Sequence, residues 1–236
     1  MKKLRNRTMT NRLKNIFTFY LPMLLLALVV WSCNDKSEPN DTFTYYNVVV
    51  YDGSVDGLPV FLTVNPETGD DVIYTSGTSV TLNNVNPGDC AFIGYTIPDN
   101  RPAYSSGKIY LIGYSEMTNI KSQIIEHKDI EGWNSTPIYL MSYYTMYNRL
   151  ILQAKIPYST TKRKLGLVVD KSTLGNEIAT AYLYQQLEDG EQTFEREYRI
   201  AFDLSNIVEQ LPGDSLKVMI NNSNLPLDSF VIKLDK

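Results

Sequence analysis

The sequence contains one histidine and two cysteines among its 236 residues. With so few of these ligands, no Cys/His cluster of zinc-binding spacing can form, and neither HExxH nor Gly-x-Ser-x-Gly occurs. The single histidine, His127, lies in the charged segment 126–129, where a solvated linker residue is the simpler interpretation. We therefore expect a protein without metal or cofactor and without enzymatic activity.

Carboxylates, which can act as catalytic groups, are abundant in the sequence. The chain has 26 Asp and Glu residues, so some of them must lie close together. Two carboxylates suffice to hydrolyse a glycosidic bond. A carboxylate-based glycan hydrolase therefore stays open as an alternative.

The sequence also lacks an apolar run of the roughly 20 residues that a membrane-spanning helix needs. Its longest run extends from residue 16 to residue 31 and includes Thr18 and Pro22. Six Lys and Arg residues and no acid precede this run, and Cys33 follows directly after a serine. This layout is typical of a secretory signal, and its end resembles a bacterial lipobox. The sequence predicts a lipoprotein signal peptide over 1–32 and lipidation of Cys33, with acyl chains such as palmitate as the membrane anchor.

Removal of this leader would change the charge of the protein. The remaining 204 residues carry 16 Lys and Arg against 26 Asp and Glu, a formal charge of −10. Nucleic-acid binding needs cations that replace phosphate counterions, so this balance excludes nucleic acid as a partner. If Cys33 is acylated, Cys90 has no disulfide partner. We expect Cys90 to be a small buried hydrophobe within its apolar segment.

The segment at 33–43 is almost entirely polar and predicts a flexible tether. Within it, Asp35 and Glu38 resemble the acidic patch that directs some lipoproteins to the cell surface. We therefore expect a protein held in the bacterial outer membrane through its lipid anchor and exposed on the surface.

Short β-branched and aromatic segments alternate with turn residues from residue 44 onward. The first group predicts about five strands, drawn from candidates at 44–51, 59–64, 72–75, 79–82, 91–97 and 108–117. A small antiparallel barrel removes the free edges of such a set. We expect an OB-like five-stranded barrel over 44–120, with an SH3-like barrel as the alternative.

A charged and turn-rich segment at 121–136 predicts a joint between two domains. Beyond it, 137–236 contains about seven short alternating segments, which predict an immunoglobulin-like β-sandwich. The candidate strands are 149–157, 164–170, 180–186, 197–202, 216–220 and 228–234, after a first one beginning at residue 137. The predicted fold class is therefore all-β, with a barrel followed by a sandwich.

The order of several short segments resembles the NigD-like family of bacterial lipoproteins. The matching pieces are the lipobox with its acidic tether, Gly88-Asp89 leading into a strand, Pro137-Ile138, and Phe202-Asp203-Leu204-Ser205 before the last strands. The resemblance covers 17–236 and implies a barrel of the oligonucleotide/oligosaccharide-binding type joined to a β-sandwich. The family takes its name from a bacteriocin gene cluster, which implies a bacteriocin-associated or immunity-like lipoprotein as a further alternative.

Seventeen tyrosines are the unusual feature of the composition. A tyrosine combines an apolar face with a hydroxyl group, which suits contacts with sugars and proteins. Most of them alternate along strands and are explained by packing, whereas Tyr104, Tyr147 and Tyr158 lie at loop-like positions. The leading functional prediction is a non-enzymatic binding or accessory module for a protein or glycan partner, whose binding residues the sequence does not assign.

Overall fold

The computed structural model describes residues 43–98, 101–130, 136–158, 163–187 and 194–235. The predicted signal peptide, Cys33 and all but the last residue of the predicted tether lie outside the described residues. Within them the chain is almost entirely β, which confirms the all-β class. No described helix combines the length and the apolar character that crossing a bilayer requires.

The first five strands form a closed barrel. They are β1 (Thr44–Val55), β2 (Leu58–Val64), β3 (Asp71–Ser76), β4 (Cys90–Thr96) and β5 (Gly107–Glu116). Their order around the barrel is β1-β2-β3-β5-β4, and β4 closes the ring by pairing with β1. The β3–β5 pair is parallel and the other pairs are antiparallel. The predicted five-stranded barrel is present, and its assignment to the OB-like type stays a prediction.

The barrel core follows from strand alternation, because every second side chain points inward. Val49, Phe61 and Ile93 are fully buried there. Tyr74 and Tyr95 are also buried, and the Tyr95 hydroxyl donates to the Tyr74 hydroxyl at 3.0 Å. Each ring therefore contributes apolar area while its polar tip is satisfied.

The strand predicted at 79–82 is absent, because this segment closes one end of the barrel without pairing. Leu82 and Val85 insert into the barrel core, and the backbone amide of Asn83 donates to the Tyr114 hydroxyl at 2.8 Å. Of the apolar residues that suggested a strand, Leu82 is buried and Val80 is partly buried, and both belong to a loop.

The remaining nine strands form two sheets that face each other. They are β6 (Thr118–Lys121), β7 (Gln123–Ile125), β8 (Tyr139–Met146), β9 (Arg149–Pro157), β10 (Arg163–Asp170), β11 (Ala179–Leu187), β12 (Glu195–Asp203), β13 (Ser215–Ile220) and β14 (Ser229–Lys233). One sheet has the order β14-β13-β11-β10-β7 and the other has the order β6-β12-β9-β8. A single apolar cluster lies between them, and Leu152, Phe202 and Val218 are among its buried residues.

Three strand pairs in these sheets are parallel, namely β6 with β12, β7 with β10, and β11 with β13. Strands β6 and β7 lie at 118–125 and overlap the segment predicted as a joint. Each extends only three or four residues, which is too short to show a periodic pattern. The immunoglobulin-like type of the sandwich stays a prediction.

Three single helical turns complete the described elements: α1 (His127–Ile130), a 3-10 turn (Lys171–Thr173) and α2 (Ser205–Val208). The Asp203 carboxylate accepts from the amide of Ser205 at 2.9 Å and satisfies one of the free donors at the start of α2.

The barrel packs directly on the outer face of the β6-β12-β9-β8 sheet. A third apolar cluster joins them and includes Val50 and Cys90 of the barrel with Met146, Ile151 and Ala201 of the sheet. Hydrogen bonds reinforce this junction. The Tyr147 hydroxyl donates to the Thr63 carbonyl at 2.7 Å, and the Arg149 guanidinium donates to the Gly88 carbonyl at 2.8 Å.

Candidate functional site

A cleft lies where the barrel meets β8, and we call it the junction cleft. It has a volume of about 530 Å³ and is lined mostly by apolar surface. Its lining comprises Asn47, Val48, Thr63, Val64, Asn65, Pro66, Gly69, Tyr104, Tyr144, Thr145 and Met146. An apolar concavity with a few convergent polar groups is the usual form of a binding site.

Tyr104 reaches the cleft from the loop before β5. Its backbone is left-handed, with φ of 58°, a conformation that costs a non-glycine residue free energy. Arg101 stabilises this loop by donating hydrogen bonds to the carbonyl groups of Ser105, Ser106 and Lys108. The strained tyrosine is thus held in place by its neighbours.

Tyr144 and Met146 approach the cleft from β8, the edge strand of its sheet. The register pairs Tyr144 with Ile151, whose side chain lies in the junction cluster, so Tyr144 is on the face that meets the barrel. A β-bulge between Leu140 and Ser142 shifts the pairing earlier in the strand. Bulges change the direction in which an edge strand presents its side chains.

The lining of the cleft includes the phenol of Tyr144. Desolvation raises the pKa of Tyr144 above its usual range, Cys90 and Tyr104 act in the same direction, and Arg199 opposes them. Tyr144 is therefore neutral near pH 7 and can donate a hydrogen bond. Opposite it, the Asn47 amide donates to the Thr63 hydroxyl at 3.1 Å.

The three tyrosines at loop-like positions of the sequence occupy different places in the fold. Tyr104 lines the junction cleft. Tyr147 uses its hydroxyl inside the barrel–sheet junction, where it has a structural role. Tyr158 stacks on Phe194 with ring centroids 4.9 Å apart and an interplanar angle of 8°. Only the first of the three is part of this cleft.

Cys90 and His127 lie outside the cleft lining. Cys90 is fully buried, and desolvation raises the pKa of its thiol to about 12, so the group is an inert hydrophobe as expected. His127 is exposed, with 50% of its side chain accessible, as expected of a solvated residue, but it also has a partner. Its Nδ1 lies 2.6 Å from the carboxylate of Asp170, which is 1% exposed. The partner is 43 residues away in sequence, so local composition could not indicate it.

Two carboxyl groups, Asp203 and Asp170, have a lowered pKa, which does not suit the acid of a glycan hydrolase. For Asp203, desolvation opposes ionisation, but donors from Ser205 and the cation of Arg149 lower its pKa overall. For Asp170, desolvation likewise opposes ionisation, and hydrogen bonds from Ser172 and His127 lower its pKa overall. A glycosidase acid needs a raised pKa. Across the part of the chain that the structure describes, no three His, Cys, Asp or Glu side chains are grouped to hold a metal ion.

Several residues of the cleft carried no signal in the sequence. Tyr144 and Met146 alternate within a strand like ordinary packing residues, and Asn65 and Pro66 read as a hairpin turn. They meet Tyr104 only because the barrel docks on the sheet beside β8. The fold and this cleft thus define a class of protein, an all-β barrel and sandwich with a cleft at their junction.

Comparisons with known proteins identify this fold in solved structures. No protein-family model matches the chain, and no curated protein matches its sequence. A protein of unknown function from Bacteroides vulgatus aligns with a TM-score of 0.64 and 13% identity over 82% of this chain and 92% of that chain. A candidate lipoprotein from Bacteroides fragilis aligns with a TM-score of 0.57 and 15% identity over 82% of this chain and 99% of that chain.

A NigD-like immunity protein from Bacteroides caccae has the same fold. The TM-score is 0.50 at 12% identity, over 75% of this chain and 84% of that chain. At such identities the likeness concerns the fold alone. The shared fold supports the resemblance to the NigD-like family that the sequence indicated.

Proposed function

We propose that this protein is a lipid-anchored envelope protein that acts as a binding module without catalysis. The observation that carries the proposal is the junction cleft, which combines an apolar lining with tyrosine and asparagine side chains. Its position between two docked β bodies is a common place for a ligand site. The partner enters this cleft.

The lipid anchor rests on the lipobox that ends at Cys33. The structural likeness to the candidate lipoprotein of Bacteroides fragilis supports the same assignment. The acidic residues of the tether favour the outer membrane and its outer face. In this arrangement the polar tether separates the β body from the bilayer.

Between the two classes of partner, the cleft favours a protein. Val48, Val64 and Pro66 provide apolar contact area, and Tyr104 and Tyr144 are the aromatic type enriched at protein interfaces. An apolar or aromatic side chain of the partner, inserted beside Tyr144, fits this lining.

A second candidate is an immunity-like protein, and it is favoured by the likeness to the NigD-like immunity protein. In that case the partner in the cleft is a toxin or a component that a toxin needs. Deletion of the gene should then change the sensitivity of the cells to a toxin in a bacteriocin panel. Unchanged sensitivity across the panel would remove this candidate.

The anchor is tested by the Cys33→Ser variant in the producing bacterium. We expect it to lose metabolic palmitate labelling and to move from the membrane to the soluble fraction. Cys90→Ala is the matched control, because that thiol is buried, and it should keep both the label and the membrane location. Retention of Cys33→Ser in the membrane would contradict the anchor.

The cleft is tested by photo-crosslinking in intact cells. A benzophenone amino acid replaces Tyr144, which is 44% exposed on edge strand β8, or Val231, which is 52% exposed on edge strand β14. We expect a discrete protein adduct from position 144 and none from position 231. Absence of an adduct at position 144, or the same adduct at both, would contradict a partner in the cleft.

The non-enzymatic part of the proposal has its own test. The purified protein is incubated with a panel of polysaccharides, and release of reducing sugar is measured. We expect no release. Turnover that disappears when one carboxylate is replaced by its amide would establish the hydrolase alternative instead.

A further inference from the structure

We propose that a second surface, formed by Tyr46, Phe92 and Arg199, is a stacking site for a neutral oligosaccharide. None of these residues lines the junction cleft, so the site goes beyond the proposed function. We call it the aromatic platform. It lies on the outer face of β1 and β4, beside the adjoining surface of β12.

The platform begins with a row of residues that crosses three strands. Tyr46 pairs with Gly94 on β4, and Gly94 pairs with Gly113 on β5. The Tyr46 ring lies over Gly94, since a Cβ added there would meet two ring carbons at 3.0 and 3.4 Å. The two glycines therefore leave space for a ring that lies flat on the sheet.

Covering a glycine is not sufficient to explain this tyrosine. An aromatic ring that lies across a strand glycine stabilises the sheet through its inner face. The outer part of Tyr46 is in solvent, with 64% of the residue exposed. Gly113 is left uncovered, because nothing lies within 4 Å of an added Cβ. A flat exposed ring beside an open trough is the shape that a sugar ring needs.

Phe92 and Arg199 adjoin Tyr46 and pack on one another. The Phe92 ring is stacked with Tyr46 at a centroid distance of 6.0 Å and an interplanar angle of 14°. The Arg199 guanidinium carbon lies 4.1 Å from the Phe92 centroid, in cation–π contact. The C–H groups of a sugar ring can stack on the exposed face of Tyr46, because aromatic faces carry partial negative charge.

The polar groups next to the platform suit a ligand rich in hydroxyl groups. A cleft of about 420 Å³ adjoins Arg199 and is lined by Ser115, Glu116, Arg196 and Glu197 among others. Carboxylates and guanidinium groups offer acceptors and donors, respectively, to sugar hydroxyls.

The balance of charge in this cleft selects a neutral ligand. It contains two carboxylates and two guanidinium groups, and Arg199 Nη2 lies 3.3 Å from Glu197 Oε1. The amide of Gln153 donates to the same carboxylate oxygen at 2.7 Å. A phosphorylated or uronic acid ligand would find no excess of positive charge. A neutral oligosaccharide requires none.

The test is calorimetric titration of the full acylated protein in detergent with four neutral oligosaccharides. These are cellohexaose, mannohexaose, xylohexaose and chitohexaose. We expect at least one to bind. Tyr46→Ala should weaken that binding by roughly tenfold or more, equivalent to about 1.4 kcal/mol. Tyr46→Phe should keep the affinity, since the ring remains.

A second variant tests the open space over Gly113 and removes no side chain of the aromatic platform. Gly113→Val fits sterically and should weaken the same sugar by covering the space beside Tyr46. Val231→Ala, an exposed strand position elsewhere, is the control and should bind as the unaltered protein does. The platform is overturned if none of the four sugars binds, or if Tyr46→Ala and Gly113→Val bind as tightly as the unaltered protein. Neither result affects the proposed partner of the junction cleft, which the crosslinking experiment tests separately.

Discussion

Tyr147 shows how one residue stabilises the junction at a local cost. It lies with Asn148 in the two-residue turn between β8 and β9, and both have left-handed backbones, with φ of 49° and 55°. Hairpin turns of this kind favour Asn and Gly, not Tyr. The Tyr147 hydroxyl donates to the Thr63 carbonyl at 2.7 Å, which connects the turn to the barrel.

Removal of this hydroxyl should therefore weaken the whole body. We expect Tyr147→Phe to lower the free energy of unfolding by about 1 kcal/mol, because the Thr63 carbonyl loses a donor while the ring is kept. Urea unfolding measures the change. Tyr139→Phe is the control, since no hydrogen bond to the Tyr139 hydroxyl is found among the described residues, and it should unfold as the unaltered protein does. Equal midpoints for both variants would contradict this role.

Asp170 is the residue that should make stability depend on pH. Desolvation of its buried carboxyl opposes ionisation, but donors from Ser172 and the nearby His127 outweigh it and lower the pKa. A depressed folded-state pKa adds stability above the unfolded pKa, near 3.9, and this stability is lost as pH falls through the folded pKa.

We expect Asp170→Asn to lower the free energy of unfolding at pH 7 by about 1–3 kcal/mol, because its amide keeps the acceptor for Ser172 but loses the charge beside His127. The difference should shrink toward zero at pH values below the folded-state pKa. Denaturant titrations at pH 7 and at acidic pH measure it. A difference that stays constant with pH would show that ionisation of Asp170 contributes nothing.

At the scale of elements, Asn119 connects β4 to β6 by imitating a strand partner. Its carbonyl oxygen accepts from the Cys90 amide at 2.7 Å, and its amide donates to the Cys90 and Met117 carbonyls at 3.0 and 3.1 Å. These backbone groups are at the junction cluster, where an unsatisfied polar group is costly. One side chain thus joins the end of the barrel to the start of the sandwich.

Replacement of Asn119 should loosen this connection. We expect Asn119→Ala to lower the free energy of unfolding by about 2–3 kcal/mol, because it leaves the Cys90 amide and carbonyl without partners. Asn119→Asp keeps the acceptor for the Cys90 amide but turns a carboxylate oxygen toward the Cys90 and Met117 carbonyls, so its loss should be at least as large. Thermal unfolding compares both variants with the unaltered protein. An unchanged unfolding temperature in both variants would contradict the assigned hydrogen bonds.

The elements that the sequence predicts well are those whose periodicity is local. Strands such as β9 alternate over nine residues, with Leu150, Leu152 and Ile156 on the buried face. Strands β6 and β7 are too short for any pattern, and their parallel partners β12 and β10 lie far along the chain. The strand predicted at 79–82 was wrong, because apolar residues can be buried by a loop that closes a barrel as well as by a strand.

At the scale of the whole molecule, the candidate site depends on docking. The predicted signal peptide and Cys33 can be recognised from the sequence, because they form one continuous segment. The junction cleft cannot, because it is formed by β1, β2, the loop that carries Tyr104, and β8. The aromatic platform likewise needs Phe92 and Arg199, which are 107 positions apart, to stack across the junction. Tyrosine content indicated the residue type for both surfaces, but only the fold assigns the positions.

The central claim is that a partner occupies the junction cleft in the cell envelope. The low cysteine content allows a direct measurement, because Cys90 is buried and Cys33 is predicted to be acylated. Pro66→Cys places a thiol at the exposed rim of the cleft, and Val231→Cys places one on β14. The rate of labelling by a small maleimide is measured for each, in isolated envelopes and after purification in detergent. The account predicts that the envelope slows labelling at position 66 and not at position 231; equal rates in both preparations at position 66 would contradict it.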